Sequence, residues 1–177
     1  MRYIISFLMS ILPMVALGEV PRVITDIPPI YGLTKMVLGD LGTPVLLLSK
    51  GADEHDFQLR PSQMRDIAAA DLVVWVGPVL TPWLDRALAG GTRLSLPLME
   101  QAGTNVMDYP AAQDNGRAGA NPHLWMDPSN AVVWLDLIAD ALTRLDSEHG
   151  QTYRANATAA KAQISQMDTE IAAQLTP

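Results

Sequence analysis

The sequence contains no cysteine, only three histidines, and fewer positive than negative charges. The missing cysteines exclude disulfide bonds, thiolate metal sites and cysteine nucleophiles, and their absence fits an oxidising compartment. Twelve Lys and Arg residues against 19 Asp and Glu residues give a net charge of −7. This balance argues against nucleic acid or an anionic membrane as a partner. Because the acidic residues are scattered along the chain, we interpret them as a soluble surface.

The apolar run at the N-terminus is shorter than the roughly 20 residues that a membrane-spanning helix needs. Met1-Arg2 supplies a positive start, residues 4–17 are mostly apolar, and Ala16 and Gly18 are small. This pattern predicts a cleavable signal peptide over 1–18, in preference to an uncleaved anchor, and a mature chain in the periplasm. The remaining 159 residues (177 minus 18) suffice for one domain with a sizeable core.

Short apolar segments alternate with amphipathic ones through the first half of the mature chain. Strands are predicted over 20–26, 45–48, 71–77 and 93–96, and helices over 33–41, from Pro61, and over 82–88. This alternation predicts an α/β fold with a parallel four-stranded sheet and helices on both faces. The segments 45–48 and 71–77 are continuously apolar, which predicts strands covered on both faces. In such sheets, ligands bind at the carboxyl edge.

The second half of the chain predicts one long loop and two long helices. Residues 99–120 have no periodicity and are expected to form a loop, while Asp127 as N-cap and Pro128 at the first position predict a helix start. A last helix carries a narrow apolar stripe: Tyr153, Ala157, Ala160, Ile164, Met167, Ile171 and Leu175. From Tyr153 to Leu175 this helix would be roughly 34 Å long, too long to be fully covered by so small a domain.

One of the three histidines, His149, and all four tryptophans are interpreted as structural residues. His149 follows a helix end in a polar context, so we expect it to cap carbonyl groups or to be solvated. The four tryptophans are interpreted as core or rim packing: Trp75, Trp83, Trp125 and Trp134.

Two histidines stand in loops that follow predicted strands. His55 follows the second strand and His123 follows the fourth, so the topology can place both on one rim. Without thiolates, a borderline metal ion such as zinc must be bound by imidazole nitrogen and carboxylate oxygen. Glu54, next to His55, is the best oxygen candidate. A water molecule or another residue must complete the set, and surface histidines without a metal remain the alternative from residue types alone.

Two further carboxylates flank the first histidine. Asp53 and Asp56 lie in the same loop as His55. They are the next candidates, either as ligands or as acceptors that fix the tautomer of an imidazole ring.

Several segments, read in order, resemble the periplasmic metal-binding proteins of ABC importers, in their zinc-uptake branch. They are Val23-Ile24-Thr25-Asp26-Ile27-Pro28-Pro29, Gly51-Ala52-Asp53-Glu54-His55-Asp56-Phe57, Arg60-Pro61-Ser62, Ala70-Asp71-Leu72-Val73-Val74-Trp75-Val76-Gly77-Pro78 and Asn121-Pro122-His123-Leu124-Trp125-Met126-Asp127-Pro128. The resemblance implies two α/β lobes joined by one long helix, with the metal ion between them. His55 and His123 correspond to the first lobe's ligands, and Glu54 to an acidic residue that can approach the metal.

The resemblance also implies a division of the chain. We expect a signal peptide over 1–18, a metal-binding lobe over 19–147 and a linking helix over 148–177, with the second lobe and its ligands absent. Residues 107–120 occupy the place of the histidine-rich loop that the branch often carries, and they contain no histidine. A metal-scavenging loop is therefore not expected.

The expected function is periplasmic capture of a zinc ion by a monomer and its delivery to the membrane permease of an ABC importer, without catalysis. A manganese or iron carrier, or an adhesin, on the same fold is the first alternative. A zinc-dependent hydrolase with Glu54 or Asp56 as general base is another. Against it, the sequence has no second histidine at helical spacing, no nucleophile elbow and no glycine-rich phosphate loop.

Overall fold

The computed structural model describes residues 19–91, 94–109 and 119–175, so the predicted signal peptide lies outside the described residues. Its core element is a parallel sheet of four strands in the order β2-β1-β3-β4. The strands are β1 (Val23–Thr25), β2 (Val45–Leu46), β3 (Leu72–Trp75) and β4 (Ser95–Pro97). The predicted sheet is therefore confirmed, although the strands are shorter than predicted and β4 starts two residues later.

Five α-helices accompany the sheet within the described residues: α1 (Pro28–Leu38), α2 (Pro61–Ala68), α3 (Pro82–Leu88), α4 (Pro128–Leu145) and α5 (Gly150–Leu175). The first four each begin at a proline, whose missing N–H costs nothing at that position. The predicted N-cap of α4 is confirmed, because the Asp127 carboxylate accepts a hydrogen bond from the Ser129 N–H. None of the helices described is both long and apolar enough to cross a membrane.

The strand order explains why helices cover both faces of the sheet. The chain moves outward from β1 to β2 through α1, and in the opposite direction from β3 to β4 through α3. Because parallel crossovers are right-handed, connections that run in opposite directions lie on opposite faces. All strands point the same way, so the loops that follow them meet at one edge.

The prediction that both apolar strands are fully covered is right for one of them. Every residue of β3 is buried, in keeping with its place between β1 and β4. The two residues of β2 are only half-buried, because β2 is the edge strand. Leu47 and Leu48, which follow β2, turn into the core instead. The apolar run 45–48 therefore serves the core mainly through its second half.

The packing of α4 against α5 forms the largest helical contact. Trp134 in α4 and Tyr153 in α5 are fully buried. Trp75 and Trp83 are buried in the core as well, which confirms the predicted packing role of these three tryptophans. Trp125 is half-buried and lies on the rim.

The prediction for His149 is wrong. Its Nδ1 lies 2.7 Å from Oδ2 of Asp146, and the Tyr153 hydroxyl donates to the same oxygen at 2.7 Å. Burial raises the pKa of Asp146, but the hydrogen bonds from Tyr153 and His149 outweigh it and hold that pKa below its usual value. His149 therefore stabilises the connection between α4 and α5 by its contact with the Asp146 carboxylate, and not by capping carbonyl groups.

Only part of the apolar stripe on α5 is covered. Tyr153, Ala157, Ala160 and Ile164 are buried, whereas Met167, Ile171 and Leu175 are 54%, 48% and 77% exposed. The expectation that so long a helix outruns the domain is therefore confirmed for the described residues. Its role as a linking helix, and the division of the chain at 147 and 148, stay predictions.

Candidate metal centre

Glu54, His55 and His123 lie together at the carboxyl edge of the sheet. The first two stand on the loop that follows β2, and His123 immediately precedes the short 3₁₀ turn Leu124–Met126 that leads into α4. The two imidazole rings are 5.4 Å apart between centroids and stand edge to face at 69°. One possible ligand atom of each residue lies within 4.8 Å of the other two. The structure thus brings together all three residues that the sequence predicts as ligands.

The spacing of these atoms fits one small metal ion. Two ligands at about 2.1 Å from a tetrahedral zinc ion are about 3.4 Å from each other. Rotation about side-chain bonds can close the difference from 4.8 Å, and all three side chains are half-buried, so they can turn towards a common point. Two nitrogens and a carboxylate oxygen form a donor set that suits zinc, iron or copper better than magnesium or calcium.

Asn121 orients His123. Its Oδ1 accepts the backbone N–H of His123 at 3.0 Å and lies 2.8 Å from Nδ1 of the ring. An amide oxygen cannot donate, so in the neutral ring this contact places the proton on Nδ1 and the lone pair that a metal ion needs on Nε2. The Trp125 ring packs against the imidazole at 5.2 Å and 57°. Together they fix the direction in which the ring presents Nε2.

Asp53 and Trp83 hold the other loop. The Asp53 carboxylate accepts the backbone N–H of His55 at 2.8 Å, and Nε1 of Trp83 donates to the backbone oxygen of Glu54 at 2.8 Å. The Phe57 ring stands edge to face on Trp83 at 5.1 Å. Asp53 therefore binds backbone, not an imidazole ring. Asp56 is exposed, and neither of these two aspartates belongs to the cluster of possible ligands.

The sequence interpretation missed Asn121 and assigned Trp83 to packing alone. A signal for the first was present, because both loops carry Asp or Asn two residues before the histidine: Asp53-Glu54-His55 and Asn121-Pro122-His123. Such side chains commonly bond the backbone N–H two residues further on. No comparable local signal exists for Trp83, which is 29 positions away from Glu54 in the chain.

An apolar pocket of about 380 Å³ adjoins the candidate metal centre. Ile27, Leu46 and Leu48 contribute apolar walls, and Glu54 and Trp125 border it. Glu54, a candidate ligand, therefore lies between the candidate metal centre and this apolar pocket.

A buried carboxyl group ties the strand ends together beneath this edge. The Asp26 side chain is fully buried and accepts hydrogen bonds from the Ile27 N–H at 2.8 Å and the Val76 N–H at 2.9 Å. The Thr81 hydroxyl, at the start of α3, lies 3.4 Å from the same side chain. Burial raises the pKa of Asp26 to about 7, although these hydrogen bonds act in the opposite direction.

Comparisons with known proteins identify a family model and related sequences. Residues 23–177 match the family model described as the periplasmic zinc-uptake complex component A. The chain is 38% identical, over an alignment 193 positions long, to the high-affinity zinc uptake system protein ZnuA of Paracoccus denitrificans, covering 92% of this chain and 59% of the relative. It is 27% identical over 150 residues to the iron-binding protein YfeA of Yersinia pestis, covering 85% and 47% respectively.

A solved structure shows the same fold. The chain superposes on a zinc(II)-bound variant of AdcAII from Streptococcus pneumoniae with a TM-score of 0.73 at 27% identity, over 86% of this chain and 57% of the other. The chain thus spans about half to three fifths of the length of these relatives. Since the family model covers nearly all of the chain after residue 22, the protein belongs to the family of periplasmic zinc-uptake complex component A.

Proposed function

We propose that this chain binds one divalent metal ion, with zinc preferred, through Glu54, His55 and His123. The observation that supports this most directly is the convergence of three possible ligand atoms within 4.8 Å on two loops at one sheet edge. The relatives named for zinc uptake support the choice of zinc. The ion is the cargo of the protein, which binds and releases it without catalysing a reaction.

In this proposal, metal binding depends on the protonation state of the ligands. Each imidazole must offer an unprotonated nitrogen, so the metal ion competes with protons and binding weakens as the pH falls. Asn121 favours the neutral tautomer of His123 with its proton on Nδ1, in which Nε2 is the nitrogen that would bind the ion. Three protein ligands leave a fourth position of a tetrahedral zinc ion for water or for a further ligand.

The delivery step is part of the same proposal. Periplasmic components of zinc-uptake complexes hand their cargo to a membrane permease, and membership of this family supports that partner here. The candidate metal centre lies at the surface edge of the sheet, where a bound ion can be released without unfolding of the core. We propose a periplasmic monomer in this role.

Iron is the second candidate cargo, supported by the similarity to an iron-binding protein. The donor set of two imidazoles and one carboxylate also suits ferrous iron. A hydrolase with Glu54 as general base is disfavoured because Glu54 belongs to the ligand cluster itself. Asp56, the other expected general base, is exposed and lies outside that cluster.

Zinc titration of the chain by calorimetry and tryptophan fluorescence tests the proposal. We expect saturable binding of one equivalent, and a fluorescence change because Trp125 packs on His123. The His55→Ala/His123→Ala double variant is expected to lose binding. His149→Ala is the matched control, because it removes a histidine that bonds Asp146 instead of the cluster.

Two results would overturn the proposal. One is a folded chain that binds no zinc, and the other is a double variant that binds as tightly as the wild type. Competition of the bound zinc with Fe²⁺ and Mn²⁺ under anaerobic conditions decides the preferred metal.

A further inference from the structure

One peptide group joins two of the three proposed ligands. Glu54 and His55 are adjacent, so their side chains leave the backbone from the two Cα atoms on either side of a single peptide plane. A peptide group is planar, so the relative direction of the two Cα–Cβ bonds depends on only two torsion angles, ψ of Glu54 and φ of His55. Hydrogen bonds that hold this peptide restrict those two angles, and thereby the directions in which the carboxylate and the imidazole leave the backbone.

Both edges of this peptide are held by side chains. Its carbonyl oxygen, that of Glu54, accepts a hydrogen bond from Nε1 of Trp83 at 2.8 Å. Its N–H, that of His55, donates to Oδ1 of Asp53 at 2.8 Å. The C=O and N–H of a trans peptide point in opposite directions, so the two bonds hold the peptide from its two opposite edges. We call the Asp53 carboxylate and the Trp83 indole the peptide clamp.

The two halves of the peptide clamp have different foundations. Asp53 belongs to the exposed loop itself and bonds locally. Trp83 is 4% exposed, lies at the second position of α3, and contacts the same loop again through the Phe57 ring. Trp83 thus connects the loop to the rigid core, whereas Asp53 fixes its local turn.

We propose that Asp53 and Trp83 are positioning residues of the metal centre, which act by fixing the peptide that joins Glu54 to His55. This inference rests on the function proposed above. Neither residue contacts the ion; each holds backbone so that the Cα–Cβ bonds of two ligands are already directed before the ion arrives, and only the side-chain ends have to turn. Groups that orient metal ligands in this way typically contribute about 10- to 100-fold to metal affinity.

Trp83→Phe is the decisive variant, and the chain offers a matched control. Trp75 is equally buried, and its Nε1 also makes a hydrogen bond of 2.8 Å, but to Ser95 on β4. Trp83→Phe and Trp75→Phe therefore remove the same chemical group and differ in what that group holds. We expect Trp83→Phe to weaken zinc binding about 10-fold or more, and Trp75→Phe to leave it within about twofold.

Asp53 allows a second test that does not disturb the core. Asp53→Ala removes the acceptor, whereas Asp53→Asn keeps an acceptor oxygen and removes only the charge. We expect weakened zinc binding in the first and near-wild-type binding in the second. Asp56→Ala controls for loss of a negative charge in the same loop. Equal weakening in Asp53→Asn and Asp53→Ala would assign the effect to charge and contradict the peptide clamp.

The spectrum of bound Co²⁺ provides a readout that a purely structural role would not move. The visible bands of Co²⁺ report the geometry and number of its ligands, so Trp83→Phe should change them and Trp75→Phe should not. In a double-mutant cycle, the effect of Trp83→Phe on zinc affinity should shrink when Glu54→Gln is present, because one of the two oriented ligands is then lost.

The outcomes separate this inference from the function on which it rests. If the wild type binds zinc and Trp83→Phe binds as Trp75→Phe does, the peptide clamp is refuted and the metal centre stands. If the folded wild type binds no zinc, the proposed function itself fails. Should Trp83→Phe not fold, the Asp53 pair decides the question alone.

Discussion

Raising the pH is expected to destabilise the metal-free chain through one buried carboxyl group, that of Asp26. The residue is fully buried at the end of β1. Its pKa is raised to about 7 by burial, against the hydrogen bonds from Val76, Ile27 and Thr81. The folded protein therefore holds a proton on Asp26 at a pH where the unfolded chain, with its ordinary value of 3.8, has lost it.

The sign and size follow from this difference. A group whose pKa is raised on folding contributes its full stabilisation at pH values below its pKa in the unfolded chain. This stabilisation is lost as the pH rises through the pKa of the folded state. Over that interval the free energy of unfolding falls by up to about 1.4 kcal/mol per pH unit, or about 3 kcal/mol between about pH 5 and 8. The pKa values of Asp127 and Asp146 are lowered, so their stabilisation is present throughout this interval.

Urea unfolding at several pH values, followed by tryptophan fluorescence in the presence of a chelator, measures this loss. The chelator removes the separate pH dependence of metal binding. Asp26→Asn is the control, because it cannot titrate, and the difference in stability between it and the wild type should change by about 3 kcal/mol over the interval. Parallel curves for the two proteins would refute the reasoning, since they would show that the hydrogen bonds outweigh burial.

Two further predictions concern ligand orientation and the long helix. Asn121→Ala should weaken zinc binding in calorimetry by about 10- to 100-fold, because His123 loses the acceptor for its ring and for its backbone N–H. Asn121→Asp keeps an acceptor and should bind normally. Equal affinities of these two variants for zinc would contradict the assigned tautomer. Ile164→Ala should cost about 2–4 kcal/mol in urea unfolding, but Ile171→Ala only about 0.5 kcal/mol, since the first is buried and the second 48% exposed; equal losses would contradict this burial.

The sheet could be predicted because its elements are encoded locally. Continuous apolar segments mark β2 and β3, and prolines mark the starts of α2, α3 and α4. The start of α1 was predicted wrongly, because this helix begins at Pro28, five residues before position 33, and ends at Leu38. Asp127 with Pro128 defines the start of α4 through neighbouring residues alone. These features depend only on neighbouring residues, so they can be recognised from the sequence without knowledge of distant contacts.

The ligand set could be predicted for a different reason. Parallel strands bring their following loops to one edge, so two histidines 68 positions apart were expected on a common rim. Glu54 was identified because it adjoins His55. The structure confirms that the three side chains meet, while their binding of a metal ion stays a prediction.

What the sequence determined by itself is therefore the order of strands and helices, the predicted N-cap of α4 and the candidate ligands. Tertiary structure alone decided which half of the 45–48 segment is buried, that His149 pairs with Asp146, and that Trp83 holds the Glu54 carbonyl. The physical reason is the separation in sequence of the residues that interact: helix caps and strand patterns depend on neighbours within a few residues. Edge position and the partner of an indole N–H depend on which distant segments pack together.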